Sequence, residues 1–393
     1  MRILIVNHEF PPLGGGGGNA NYYIARELVR QGHEVTVLSS HMAGLEPRED
    51  VSGVEVIRLR CGRRHVNHTD LREGLFWIAR ALPAAISWAR AHRPDIVQAF
   101  FALPNGPVAW AAARAAGCPL VIRLGGGDVP GNDPTRYPRV HRLLLPLTRR
   151  VMRAAHTVVV NSAGLRELAE AAFPGLSFEV IPNGVDIEEF RPGERRAGDG
   201  PIRLLCVARL IERKGLQDLL PALGALRREG HDFRLRIVGD GPMRGRLQEL
   251  AAAEGLADRV RIDGPVEHEK LPEIYREADV FVLPSLAEGM PNVVLEAASC
   301  GLAIVGTRVS GMPELVREGE IGWLVEVGDR AQLQHALSSL LRSALLTARM
   351  GRASRRLAAE RPWSRIASMY AETYARALAH QREGEPIERV VLP

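Results

Sequence analysis

"EGMPNVVLEAASCG", residues 288–301, sets two carboxylates, Glu288 and Glu296, eight positions apart around a Gly/Pro bend. An apolar run, "DVFVLPS" (279–285), stands before it and another, "AIVGT" (303–307), follows. The order reads as strand, loop, helix, strand. Pro291 suits the first turn of a helix, and Gly301 suits a stop just past Cys300. Glu288 then falls on the loop, and Glu296 about one turn inside the helix. The N–H groups of Gly289, Met290 and Asn292 come ahead of the first intrahelical hydrogen bonds, where an anion is well held. A carboxylate accepts two hydrogen bonds from a vicinal diol. The stretch is therefore expected to hold a phosphate between two diol-bearing rings, the make-up of a nucleotide sugar. A plainer reading stands beside it, with Glu296 on a solvated helix face and Glu288 answering the helix dipole.

The same alternation extends outward. "IRLLCVAR" (202–209), "RLRIVGDG" (234–241) and "RVRIDGPV" (259–266) read as strands, with helices from Leu216, Met243 and Lys270 between them. In the first half "RILIVN" (2–7), "HEVTVLSS" (33–40), "VEVIRLR" (54–60), "PDIVQAFF" (94–101), "PLVIRLG" (119–125), "HTVVVNS" (156–162) and "FEVIPNG" (178–184) are strands. Helices are expected at 21–32, 75–91 and 107–118, and "PPLGGGGG" (11–18) as a loop. Strands alternating with helices argue for parallel sheets covered on both faces. The polar stretch "FRPGERRAGDG" (190–200) reads as a linker between two doubly wound domains. Beyond about residue 330 come Ala/Leu/Arg-rich helices, then a loose tail after Gln381.

With 393 residues, two domains of ordinary size are expected. Residues 1–7 are strand-like instead of a leader, and no run of about 18 apolar residues occurs, so a cytoplasmic location is expected. Cys61, Cys118, Cys206 and Cys300 stand far apart without a CxxC, which favours reduced, buried thiols over zinc. The net charge is +5, yet no acid occurs between Pro134 and Arg166, where Arg136, Arg139, Arg142, Arg149, Arg150 and Arg153 surround "LLLPL". This is either a solvated helix face or a surface that meets anionic lipid at the inner face of a membrane. No motif supports nucleic acid as a partner. Lysine occurs only at Lys214 and Lys270.

The glycines at 14–18 precede a helix and suit an anion. A dinucleotide site is disfavoured: the glycines begin seven residues after Asn7, and the second strand ends in Ser39 and Ser40 where a ribose-binding acid would stand. "VARLIERKGL" (207–216) puts Arg209 at a strand's end and Lys214 in the next loop, two cations suited to a diphosphate. No Asp-x-Asp pair occurs, which counts against a metal-held diphosphate.

Taken together, "PPLGGGGGNANYYIARELVRQGHEVTV", "IPNGVD", "VARLIERKGL", "IVGDGP", "EGMPNVVLEAAS" and "VSGMPELV…GWLVEVGD" resemble, in order and over nearly the whole chain, the retaining GT-B glycosyltransferases of family 4, the glycosyl transferases group 1 type. The resemblance implies an α/β GT-B fold. Two doubly wound Rossmann-like domains would face each other across a cleft. They would span residues 1–188 and 189–362, with a last helix near 363–380 returning to the first.

Roles are implied as well. Arg209 and Lys214 would bind the donor diphosphate and steady the leaving group. Glu296 would hold the ribose, and Glu288 the sugar hydroxyls. Gly289, Met290, Pro291 and Asn292 would line the sugar, and Val266 would sit near the base. The paired glycines fall on Gly15 and Gly16, with Gly17 beside them on the donor. One departure stands out: Gly125 occupies the position of a sugar-contacting His in many relatives, while Asp128 matches the acid of that motif. The resemblance thus implies metal-independent transfer of a hexose from a nucleotide-diphosphate sugar to a hydroxyl acceptor, of a lipid-linked or envelope-glycan kind, without cofactor. The alternatives are a non-catalytic nucleotide-sugar-binding protein and an epimerase of the same fold.

Overall fold

The computed structural model describes residues 1–66, 69–132, 138–193 and 200–383, with the backbone alone for 138–142. Arg136, residues 194–199 of the expected linker, and the tail from 384 onward lie outside the described residues. The chain forms two units by packing, residues 1–183 with 363–393 and residues 184–362. This boundary comes a few residues ahead of the expected 188/189, because Val185 is already buried in the second unit's core.

The first unit runs β1 (Arg2–Val6), α1 (Gly16–Arg30), β2 (Glu34–His41), β3 (Arg48–Val51), β4 (Val54–Arg60), α2 (Leu71–His92), β5 (Ile96–Phe100), α3 (Asn105–Ala116), β6 (Leu120–Arg123), α4 (Pro138–Arg153), β7 (Thr157–Val160), α5 (Ala163–Ala172) and β8 (Glu179–Val180). Its sheet has the order β3-β4-β2-β1-β5-β6-β7-β8. The pairs are parallel except β3 with β4. The central strands "RILIV" and "IVQAF" are apolar on both faces, as burial on both sides requires. The charged β3, "REDV", carries no such signal and blunts the sheet edge.

The starts of α2 and α1 differ most from expectation. α2 begins at Leu71, ahead of 75. Asp70 accepts the Glu73 N–H at 2.7 Å and Glu73 accepts the Asp70 N–H at 3.2 Å, a reciprocal capping box. α1 begins at Gly16, so the last three glycines of "GGGGG" are helical instead of loop. Glycine is a poor helix former, but close approach demands it: a Cβ on Gly17 would lie 2.5 Å from the Phe101 ring, and one on Gly18 2.8 Å from the Leu13 carbonyl.

The second unit runs β9 (Ile202–Val207), α6 (Leu216–Arg228), β10 (Phe233–Val238), α7 (Arg244–Ala253), β11 (Val260–Ile262), α8 (Leu271–Arg276), β12 (Val280–Leu283), α9 (Asn292–Ser299), β13 (Ala303–Thr307), α10 (Met312–Leu315), β14 (Gly322–Val325), α11 (Arg330–Leu341) and α12 (Ala344–Ala359). Its parallel sheet has the order β11-β10-β9-β12-β13-β14. α13 (Trp363–Glu383) belongs to the first unit. Its Trp363 stacks on Tyr23 of α1 at 5.4 Å, and its buried Tyr374 donates to Gln98 of β5.

Strand order reverses between β1 and β5 in the first sheet and between β9 and β12 in the second. In open parallel sheets, ligands bind outside the strands' carboxyl ends at such switch points.

Candidate active site

The second unit's switch point is held together by glycine. A Cβ on Gly215 would lie 1.8 Å from the Pro284 carbonyl oxygen, and its φ is +70°. The loop after β9 therefore presses directly on the loop after β12. The Leu286 N–H donates to the Arg213 carbonyl at 2.7 Å across the same seam. That closeness brings Lys214 to Glu288. Lys214 Nζ donates to Glu288 Oε1 at 2.5 Å, and Ser285 Oγ donates to the same oxygen at 2.7 Å.

Glu288 is 7% exposed, so it lies in the interior although it sits on a loop. Burial alone would raise its pKa. The charges of Lys214 and Arg213, with the hydrogen bonds from Lys214 and Ser285, overcome this and hold it below the ordinary value. Glu288 is thus a carboxylate at neutral pH. Among the described residues its Oε2 accepts no hydrogen bond.

Glu296 lies in the second turn of α9, buried, and accepts the Tyr275 hydroxyl at 2.9 Å on Oε2. Burial raises its pKa; the nearby His268 charge and the Tyr275 hydrogen bond pull the other way, and Glu189 adds to the rise. Its Oε1 likewise accepts no hydrogen bond among the described residues. Tyr275 escaped the sequence reading. An aromatic residue spaced along an amphipathic helix signals only core, and its hydroxyl partner comes from another element.

Arg209 is exposed at the carboxyl end of β9. Gly289, Met290, Pro291 and Asn292 are buried together at the start of α9. Pro291 is the N-cap, one position before the first helical residue, with an extended ψ of 115°. Gly301 takes φ +80° just past the helix, the left-handed stop its sequence position promised. Val266 packs on the second unit's core beyond β11. The two glutamates do not share partners: Glu288 is tied to the β9 side and Glu296 to α8.

In the first unit Gly15 is the N-cap of α1, Gly16 its first residue, and both are exposed. Gly17 meets Phe101. Asp128 accepts the N–H groups of Gly125 at 2.9 Å and Gly126 at 3.1 Å on Oδ1, and that of Ala102 at 3.1 Å on Oδ2. Both its oxygens serve backbone amides, so it braces the loops after β5 and β6. His8, just past β1, is buried, and its backbone N–H donates to Asn105 Oδ1 at 3.2 Å. Neither His8 nor Phe101 stood out in sequence, because only the fold puts the ends of β1, β5 and β6 side by side.

Two family models match the chain: "Glycosyltransferase Family 4" over residues 14–189 and "Glycosyl transferases group 1" over residues 186–357. Glycogen synthase of Mycobacterium tuberculosis is 30% identical, aligned over 98% of this chain and 97% of that one. A GDP-mannose-dependent alpha-(1-6)-phosphatidylinositol monomannoside mannosyltransferase of Mycolicibacterium smegmatis is 32% identical over 90% of this chain and 92% of the other. In fold, sucrose-phosphate synthase of Thermosynechococcus elongatus superposes with a TM-score of 0.85 at 22% identity, covering 96% of this chain and 99% of that one. HepE of Anabaena, in complex with UDP and glucose, gives 0.76 at 21%, covering 95% and 99%. The chain belongs to the glycosyl transferases group 1 family of GT-B proteins. It is a glycosyltransferase that draws on a nucleotide sugar.

Proposed function

We propose that the chain is a metal-independent, retaining hexosyltransferase acting on a hydroxyl acceptor carried by a lipid or an envelope glycan. One observation carries the catalytic part. At the second unit's switch point two buried carboxylates, Glu288 and Glu296, each accept hydrogen bonds through one oxygen, with Lys214 on Glu288 and Arg209 just past β9. In this reading Glu296 Oε1 takes the ribose diol and Glu288 Oε2 a sugar hydroxyl. Arg209 and Lys214 offset the charge that grows on the diphosphate as its bond to the sugar's anomeric carbon breaks. The acceptor oxygen bonds to that carbon from the face the diphosphate leaves, and its proton passes to a departing phosphate oxygen. No protein nucleophile takes part.

The lipid part rests on another observation. Leu71, Leu75 and Phe76 of α2 and Leu143 and Leu147 of α4 are exposed. Both helices pack their other sides into one core, on the same face of the sheet. Both begin at the strands' carboxyl ends. Exposed Arg72, Arg80, Arg150 and Arg153 accompany them, a pattern that fits an anionic lipid surface.

Acceptor-free hydrolysis of UDP-glucose, GDP-mannose and ADP-glucose, with anomer detection of the released sugar, tests the enzyme. Release of the α-sugar from an α-linked donor supports retention; β-sugar contradicts it. Tight binding of a donor with no turnover, with or without acceptors, would favour a binding protein instead.

A further inference from the structure

Phe101 follows β5 at the first unit's switch point with φ +68°, in the left-handed region that a bulky side chain rarely adopts. The backbone is pinned on both sides of this strain. The Phe101 N–H donates to the Arg123 carbonyl at 2.7 Å, and the next N–H, of Ala102, donates to Asp128 at 3.1 Å. Strain that the surroundings over-determine is a pointer to function. The ring so placed lies against two glycines. A Cβ on Gly17 would come within 2.5 Å of Cζ, and a Cβ on Gly125 within 2.5 Å of Cε1. The His8 ring, from the end of β1, is 5.9 Å away and tilted by 56°. The ring is partly exposed. A side chain at position 125 and the ring of residue 101 therefore exclude each other.

We propose that Phe101 is a specificity-determining residue whose ring is the apolar wall on which a cyclic polyol lies at the first unit's switch point. The observations favour this over plain packing. A packing residue gains nothing from a strained backbone, and an apolar face beside a polar imidazole is how sites receive a ring with one C–H face and a hydroxyl rim. The proposal rests on the chain being a sugar transferase. The polyol is either the transferred hexose or the acceptor ring, and two assay arms distinguish them.

Phe101→Leu and Phe101→Gly are assayed for hydrolysis of UDP-glucose, GDP-mannose and ADP-glucose, and for transfer to free hexoses and inositol. Melting-temperature shifts with the same sugar nucleotides cover slow turnover. The expected result is a KM raised about tenfold or more in one arm, with kcat changed far less. The unliganded melting temperature should stay close to the parent's in Phe101→Gly, because glycine relieves the strained φ. A change in the donor arm assigns the transferred hexose; one confined to the acceptor arm assigns the acceptor. A large fall in Phe101→Gly melting temperature with unchanged KM values makes the ring mere packing and overturns the proposal. Unaltered kinetics and shifts in both variants also overturn it. The parent serves as the control: if it hydrolyses at least one of the sugar nucleotides, the transferase reading survives that failure; if it binds them and turns over none, with or without acceptor, that reading fails on its own account. Independently of activity, Gly125→His should destabilise the parent and be tolerated in Phe101→Gly; equal melting temperatures in both backgrounds contradict the exclusion.

Discussion

Lys214 Nζ and Glu288 Oε1 lie 2.5 Å apart although 74 residues separate them, and both side chains are close to fully buried. Removing one partner of such a pair leaves an uncompensated charge in the interior, which costs about 3–5 kcal/mol. Lys214→Ala should therefore lower both urea stability and turnover. Lys214→Met with Glu288→Gln should recover most of the stability and none of the turnover. Recovery of turnover in the double variant would show that neither charge serves the reaction.

Glu288 and Glu296 respond oppositely to acid. The pKa of Glu288 is lowered from 4.5 in the folded chain. Its stabilisation is thus present above about pH 4.5 and lost as pH falls through the folded value. That of Glu296 is raised from 4.5, so its contribution is full below 4.5 and lost as pH rises through the folded value. Acid titration of Glu288→Gln against the parent, by chemical denaturation, should show the stability difference shrinking below pH 4.5. A constant difference would contradict the ion pair.

Glu296→Ala should weaken binding of UDP- or GDP-sugars by about 1.5–3 kcal/mol, the range for hydrogen bonds to a charged group. Calorimetry measures it directly, and an unchanged affinity removes Glu296 from the ribose. Tyr275→Phe deletes a hydrogen bond that holds the Glu296 pKa down. The acid limb of donor binding should then move to higher pH. A limb at the parent's position would leave Tyr275 as packing.

On the proposed mechanism turnover should survive EDTA, because Arg209 and Lys214 would do the work that a metal would do for the diphosphate. Loss of activity restored by Mg²⁺ or Mn²⁺ would refute the metal-free route.

Vesicle binding should rise with anionic lipid and fall with salt, each arginine near the surface contributing roughly 1 kcal/mol. Leu75→Ser with Phe76→Ser should weaken it. Arg149 and Arg150 are poorer probes, since Arg149 donates to the Ala172 carbonyl at 3.2 Å and Arg150 stacks over Trp110. Arg136 and the side chains of Arg139 and Arg142 lie outside the described residues. Equal recovery on neutral and anionic vesicles would make the face an ordinary solvated one.

The amino-acid order alone determined the two α/β units and the places of Arg209, Lys214, Glu288 and Glu296 after β9 and β12. Both are written locally: buried strands as apolar runs, and helix stops as glycines such as Gly301. Strand neighbours and loop-to-loop contacts are not local. The eight-position spacing of Glu288 and Glu296 shows in the sequence, but not the partner that orients each. The fold turned one towards Lys214 and the other towards Tyr275, through a seam that only Gly215 allows. The α1 start was misread for the same reason. Its glycines looked like a loop by propensity, while the Phe101 ring and the Leu13 carbonyl, distant or adjacent in sequence but touching in space, leave room for nothing larger.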